Sequence, residues 1–208
     1  MAYLKKKGLV ATNKPKDRKE RMQALRDNNE EKFIGAYVKE PIVGKYDWIY
    51  DLDLTSLYPS IIMTLNISPE TKVGKIKNWD AEEWIKGVER NYIVANDTEE
   101  YEYTRQEMAE VIKDSNLGVA ANGVLYSQDK PGLIADILND WFQKRVDFRK
   151  LEKQYGEAGD TEKYEFYAKR QLVQKILLNS MYGVLGLPAF RFYDVDNAEA
   201  VTLTGQTV

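Results

Sequence analysis

Three stretches carry residue types that could hold a charged ligand. In Asp53-Leu54-Thr55-Ser56-Leu57-Tyr58-Pro59-Ser60-Ile61-Ile62 a carboxylate ends an apparent strand, and the turn after it exposes hydroxyls and backbone N–H groups. Magnesium takes one or two carboxylates together with phosphate oxygens in octahedral geometry, and N–H groups at a turn or helix start cradle an anion. The combination suits a metal-bound triphosphate, with Mg2+ as the implied cofactor. The same residues also fit a strand-end Asp that simply caps the Thr55 to Tyr58 turn.

The second stretch is Lys175-Ile176-Leu177-Leu178-Asn179-Ser180-Met181-Tyr182-Gly183. At about 100° per residue, Lys175, Asn179 and Tyr182 fall on one helical face, with Leu172 and Ile176 as its margin. A purely structural helix would more often carry apolar residues at those positions, and the alternative is a solvated surface stripe. In the third stretch Arg145 and Arg149, one turn apart, share a face with Leu138, Trp141 and Phe142. Guanidiniums that interrupt an apolar face call for an anion. Phosphate matches their forked donors, and a carboxylate such as Glu152 is the competing partner.

The elements that must position these groups are legible from pattern. Residues 1–32 are polar and lysine-rich and read as a linker with one short helix near Arg18 to Arg26. Ala36-Tyr37-Val38 and Trp48 to Leu54 read as strands separated by a Pro41 to Lys45 turn, and Tyr58-Pro59-Ser60 opens a short helix. Helices are expected around Ala81 to Arg90 and Thr104 to Lys113, and a hairpin turn at Asn122-Gly123 before Val124-Leu125-Tyr126. Between Leu133 and Leu187 two helical patterns flank the break at Gly156 to Asp160, which gives an antiparallel helix pair with arms of about 20 residues. The fold class expected is α+β.

Composition bounds the chemistry. The 208 residues are 43% hydrophobic and 30% charged, enough apolar residue to bury a core and unlike a disordered chain. No run approaches the roughly 20 apolar residues of a membrane span and no secretory h-region is present, so a cytoplasmic location without membrane attachment is expected. Cysteine and histidine are both absent, which removes disulfides, thiolate chemistry, zinc sites of the usual ligands and histidine acid/base mechanisms. The net charge of −3 argues against a surface that binds nucleic acid throughout, although basic clusters occur at Lys5 to Lys7, Lys14 to Arg21 and Lys144 to Lys153.

Taken together the three stretches resemble family B DNA polymerases: DLTSLYPSII is similar to that family's motif A and KILLNSMYG to its Kx3NSxYG motif B. GAYVKEP from Gly35, ANGVLY from Ala121 and FRFYD from Phe190 resemble the branch found as replicases of large tailed phages, which would place the protein in a host cytoplasm. The resemblance implies residues 33–132 as a partial palm sheet with motif A and an intermediate α/β segment. It implies 133–187 as a helical fingers hairpin with motif B, and 188–208 as the start of a return to the palm. It further implies that Asp53 binds the catalytic metals, with Leu54 as a second metal ligand. Leu54, Ser56, Leu57 and Tyr58 would contact the incoming deoxynucleoside triphosphate, Tyr58 lying under the sugar as a gate against ribonucleotides. Arg145, Arg149 and Lys175 would bind its phosphates, Asn179 would support the pocket, and Tyr182 and Gly183 would border the nascent base pair on primer-template DNA. Arg149 departs from the family pattern, which usually has lysine there, so charge is kept and geometry changes. Asp51 is a competing carboxylate that the family spacing to Ser-Leu-Tyr-Pro-Ser sets aside.

The implied reaction is templated nucleotidyl transfer, in which the primer 3′-hydroxyl attacks the α-phosphate and pyrophosphate leaves. The two-metal route needs at least two carboxylates around metals about 3.5 to 4 Å apart. The family's second carboxylate motif, a YGDTDS-like string, does not occur here, nor do recognisable exonuclease or thumb segments. A fragment or one piece of a split polymerase is therefore expected, inactive alone and partnered by the missing exonuclease, palm and thumb parts. A protein-primed relative stays open, as does a different class: a non-catalytic nucleic-acid-binding or assembly subunit of a split replicase, standing on its basic segments.

Overall fold

The computed structural model describes Leu4, residues 39–96 and residues 99–208. The expected N-terminal linker, its short helix and the Ala36 to Val38 strand lie outside the described residues, apart from Leu4. In chain order the elements are α1 (Leu57–Thr64), β1 (Lys72–Ile76), α2 (Ala81–Lys86), β2 (Tyr92–Ala95), β3 (Glu100–Tyr103), α3 (Arg105–Asp114), β4 (Leu117–Val119), β5 (Val124–Ser127), α4 (Leu133–Glu157), α5 (Thr161–Leu185) and α6 (Val195–Thr207). The architecture is α+β, with one five-stranded antiparallel sheet in the order β3-β2-β1-β5-β4.

The sheet separates two apolar cores, and β5 shows how. Its side chains alternate faces, as a pleated strand requires. Val124 and Tyr126 join α1, α4, α5 and α6 on one side, while Leu125 joins Ile76, Tyr92 and Met108 on the other. All three are buried. On that second side, Thr104 and Glu107 form a reciprocal capping box that starts α3. Trp79, Trp84 and Tyr92 pack their rings together beside it.

α4 and α5 form the expected helix pair. Each has 25 residues and so spans about 37 Å. Gly159 turns the chain between them at φ 71°, and Asp160 caps α5 by accepting from the Lys163 amide at 3.1 Å. Burial is confined to the root, at Ile134, Ala135 and Leu138 of α4 and Leu178 and Leu185 of α5. Toward the tip the arms are joined by aromatic contacts, with Tyr155 stacked on Tyr167 at 5.5 Å. A knot of polar groups locks the root of α4. Asn66 donates to the Ser127 and Lys130 carbonyls at 2.7 and 2.9 Å and accepts from the Gly132 amide at 2.7 Å. The Leu133 amide donates to Glu70.

α6 is fastened to the sheet along its length. Lys72 and Lys75 of β1 reach Asp196 at 2.8 and 2.7 Å, and Lys72 also reaches Asp194. Buried Tyr126 donates to Asn197 at 2.7 Å, and the Ala121 amide donates to Thr204 at 3.1 Å. Burial alone would push the Asp196 carboxyl up, but its bonds to the two lysines outweigh this and hold it below the usual carboxylate range.

Several expectations are corrected. Trp48 to Leu54 is not a strand: no described segment pairs with it, and Trp48, Ile49, Tyr50, Leu52 and Leu54 are all exposed. A strand needs a neighbour's N–H and C=O groups, and the left-handed backbone at Trp48, φ 62°, interrupts extension. Asp53 therefore precedes α1 in an irregular segment, and the sheet is built from residues 72–127 instead. α2 stops at Lys86, short of Arg90, because Gly87 takes a left-handed C-cap with φ 75°. Pro59 is the third residue of α1 rather than the first, still inside the turn whose amides lack intrahelical acceptors. The 122–123 turn does connect antiparallel strands, with Gly123 at φ 81°.

Candidate functional site

The residues singled out in three separate stretches converge on one cavity. It has a volume of about 490 Å³ and is lined by the 53–59 segment, by Arg145 and Arg149 from α4 and by Lys175 and Asn179 from α5. That volume suits a ligand of nucleotide size. Helical periodicity explains the convergence, since residues four apart share a face. Arg145 with Arg149, and Lys175 with Asn179, are such pairs on facing arms above the start of α1.

The start of α1 has the features of an anion site. Ser56 is its N-cap in a left-handed conformation, φ 56° and ψ 46°, and its side chain makes no capping bond. The Leu57 and Tyr58 amides, being in the first turn, have no intrahelical acceptor, and the helix dipole adds positive potential there. The Ser56 hydroxyl instead accepts from Arg145 Nη1 at 3.1 Å, which leaves its own hydrogen free for another acceptor. Holding a non-glycine residue left-handed costs about 1–2 kcal/mol, and here it turns the hydroxyl toward Arg145.

Among the described residues, charge in the cavity is unbalanced: three cations face the single carboxylate of Asp53. Among the described residues, none of Arg145, Arg149 and Lys175 has a carboxylate partner, so Glu152 does not play the role weighed for it. Arg145 is half-buried and its Nε has no acceptor. Burial and then the neighbouring Arg149 charge lower its pKa. The neighbouring lysines behave differently. Lys144 pairs with Asp140 at 2.5 Å, Lys150 with Asp147 at 3.8 Å and Lys153 with Glu157 at 3.8 Å. The unpaired positive charge of α4 is thus concentrated where the cavity is.

Tyr58 forms one wall and meets Tyr182 of α5 at 4.5 Å between ring centroids. Burial, then proximity to Tyr182, raises the Tyr58 pKa, so its hydroxyl stays protonated. Thr202 donates its one proton to the Ala198 carbonyl at 3.1 Å, so the Tyr182 hydroxyl must be the donor in its 2.6 Å contact with Thr202. Neither Tyr182 nor Gly183 lines the cavity, and Gly183 is exposed with open space where a Cβ would be. Asp51 does not line the cavity, whereas Thr55 and Pro59, not singled out by sequence, do. α6 falls in the segment read from sequence as the start of a return to the palm, but no local pattern pointed to Thr202 or Gly205, whose contacts with Tyr182 and Tyr58 are made outside their own segment.

Asp53 could hold a divalent cation together with a backbone carbonyl and phosphate oxygens, a donor set that suits magnesium. Among the described residues no group of three or more acidic side chains forms a metal cluster of its own. Nor is any described helix long and apolar enough to cross a membrane.

Comparison with known proteins shows the family. The family model described as DNA polymerase family B matches residues 1–208. The DNA-directed DNA polymerase of Escherichia phage RB69 is 32% identical over 209 residues, covering 84% of this chain and 22% of that protein. DNA polymerase 1 of Pyrococcus abyssi is 32% identical over 197 residues, covering 95% of this chain and 20% of that protein. The solved family B DNA polymerase of Pyrobaculum calidifontis superposes with a TM-score of 0.60 at 26% identity, over 97% of this chain and 20% of that one. The chain spans about a fifth of the length of these relatives.

Proposed function

The chain belongs to DNA polymerase family B, and from that premise we propose that its cavity holds the incoming deoxynucleoside triphosphate of a DNA-directed DNA polymerase. The observation that carries this reading is the set of three cations without carboxylate partners, brought from two helices onto one carboxylate and one helix N-terminus. A polyanion accompanied by a cation completes that arrangement electrostatically; a neutral ligand does not.

In this reading Arg145, Arg149 and Lys175 grip the phosphates, the Ser56 hydroxyl and the first amides of α1 donate to phosphate oxygens, and Leu57 closes the floor. Asp53 and the Leu54 carbonyl hold Mg2+, which supplies charge neutralisation at the transferring phosphoryl group when bound. Tyr58 carries the sugar on its ring face and resists a 2′-hydroxyl. Asn179 supports the pocket, and Tyr182 and Gly183 border the primer-template DNA. The helix pair of residues 133–187 then serves as fingers, and the sheet with α1 and α6 as part of the palm. With Asp53 the only carboxylate that lines the cavity among the described residues, these 208 residues are read as holding a nucleotide without joining it to a primer by themselves.

Magnesium-dependent binding of dATP, followed by titration calorimetry on the chain, tests the reading. Lys175→Ala is expected to weaken binding about tenfold or more, one charge-assisted contact being lost. Equal affinity in wild type and variant, with only salt-sensitive DNA binding, would instead favour a non-catalytic nucleic-acid-binding or assembly subunit. Primer extension by the purified chain, dependent on Asp53, would overturn the inactivity assigned to it.

A further inference from the structure

Gly205 lies inside α6 with an ordinary helical backbone, since its φ is not in the left-handed region. Glycine there weakens the helix relative to alanine. A Cβ at this position would stand 2.9 Å from Tyr58 Cε1 and 3.4 Å from Ile61 Cδ1, while no backbone atom obstructs it. The reason for glycine is therefore the Tyr58 ring.

A methyl group at 205 leaves few ways to relieve the clash. α6 is held by the Lys72 and Lys75 bonds to Asp196, by the Tyr126 bond to Asn197 and by the Ala121 bond to Thr204. Ile61 is buried in the core. Tyr182 bounds the ring at 4.5 Å and is itself tied to Thr202 on the same helix. The remaining open side of the Tyr58 ring is the cavity.

We propose that Gly205 is a specificity-determining positioning residue, the absence of its side chain setting how deeply the Tyr58 ring sits and hence the room left for the sugar. The proposal rests on the reading of the cavity as a deoxynucleotide site. Thr202 is the second part of the same device: it fixes Tyr182, which keeps the Tyr58 ring from retreating sideways.

Gly205→Ala in the 208-residue chain tests this with two readouts. In the ring-carbon NMR spectrum of labelled tyrosine, with Tyr58 assigned by its disappearance in Tyr58→Phe, the Tyr58 and Tyr182 signals are expected to move while the other tyrosines stay in place. In titrations with magnesium and dATP or ATP, the variant is expected to bind dATP about tenfold more weakly and ATP more weakly still, widening the preference for deoxyribose, because the displaced ring leaves less room for a 2′-hydroxyl. Both changes are expected to vanish when Gly205→Ala is made on a Tyr58→Ala background, which a merely structural effect of α6 would survive. Unmoved Tyr58 signals, or an equal loss with and without the Tyr58 ring, would overturn the proposal. If the unsubstituted chain binds neither nucleotide, the cavity reading fails and the sugar role falls with it, while displaced Tyr58 signals would still assign Gly205 as the floor beneath the ring.

Discussion

Replacing Arg145 by methionine should separate ligand binding from stability. In the ligand-free chain this guanidinium is half-buried, donates once to Ser56 at 3.1 Å, leaves Nε without an acceptor and stands beside the Arg149 charge. Losing the Ser56 bond removes about 0.5–1.5 kcal/mol of stability, whereas removing a buried unsatisfied donor returns about 1–3 kcal/mol. Methionine keeps an apolar stem of similar length on the helix face that position 145 shares with Trp141 and Phe142, so the free chain should be equally stable or more stable by up to about 2 kcal/mol. At about 2–4 °C per kcal/mol for a chain of this size, the unfolding midpoint should hold or rise by a few degrees. The lowered Arg145 pKa means that the folded state disfavours the charged form, so this penalty is present at every pH below the titration and eases only as pH rises through it. Binding should respond in the opposite way: loss of charge-assisted bonds worth about 1.5–3 kcal/mol predicts magnesium-dATP affinity lower by about 10- to 150-fold. Differential scanning fluorimetry with and without magnesium-dATP reads both effects on one sample. A midpoint that falls by more than about 4 °C in the free variant, or an unchanged ligand-induced shift, would show that Arg145 is a structural residue.

Three further outcomes follow from the packing. Tyr126→Phe removes the buried bond to Asn197, whose Nδ2 already lacks a partner, and should cost about 1–3 kcal/mol in guanidinium denaturation. Gly132→Ala puts a methyl 2.7 Å from Ser68 Cβ and 2.9 Å from Thr71 Cγ2 and should destabilise by about 1–3 kcal/mol, with amide exchange rising first at the root of α4. The depressed Asp196 pKa contributes stability that is complete above the unfolded value of about 3.9 and is lost as pH falls through the folded one. Melting curves between pH 6 and 2, chosen as about the usable acid range, should show this loss shrink in Lys72→Met/Lys75→Met.

What was legible in the sequence depended on how local its cause is. The α4 and α5 arms follow from uninterrupted runs of helix-forming residues on either side of Gly159 and Asp160, all contained within the segment itself. The cavity residues were legible for the same reason, as Arg145 with Arg149 and Lys175 with Asn179 each lie one turn apart. Trp48 to Leu54 has strand composition, but strand formation depends on a partner that local pattern does not reveal. Conversely β1, KVGKI, and β3, EYEY, are too short and polar to stand out, and they become strands through pairing with β2. The role of Gly205 was hidden because it arises from a contact with Tyr58, far away in sequence.

The central claim is that the cavity binds a metal-bound deoxynucleoside triphosphate, and a crystal structure of the chain grown with magnesium and a non-hydrolysable dATP analogue tests it most directly. The account predicts phosphates against Arg145, Arg149, Lys175 and the first turn of α1, a metal ion on Asp53, and the sugar on the Tyr58 ring. A triphosphate bound on the lysine face of α4, or a cavity left without nucleotide at saturating ligand, would contradict it.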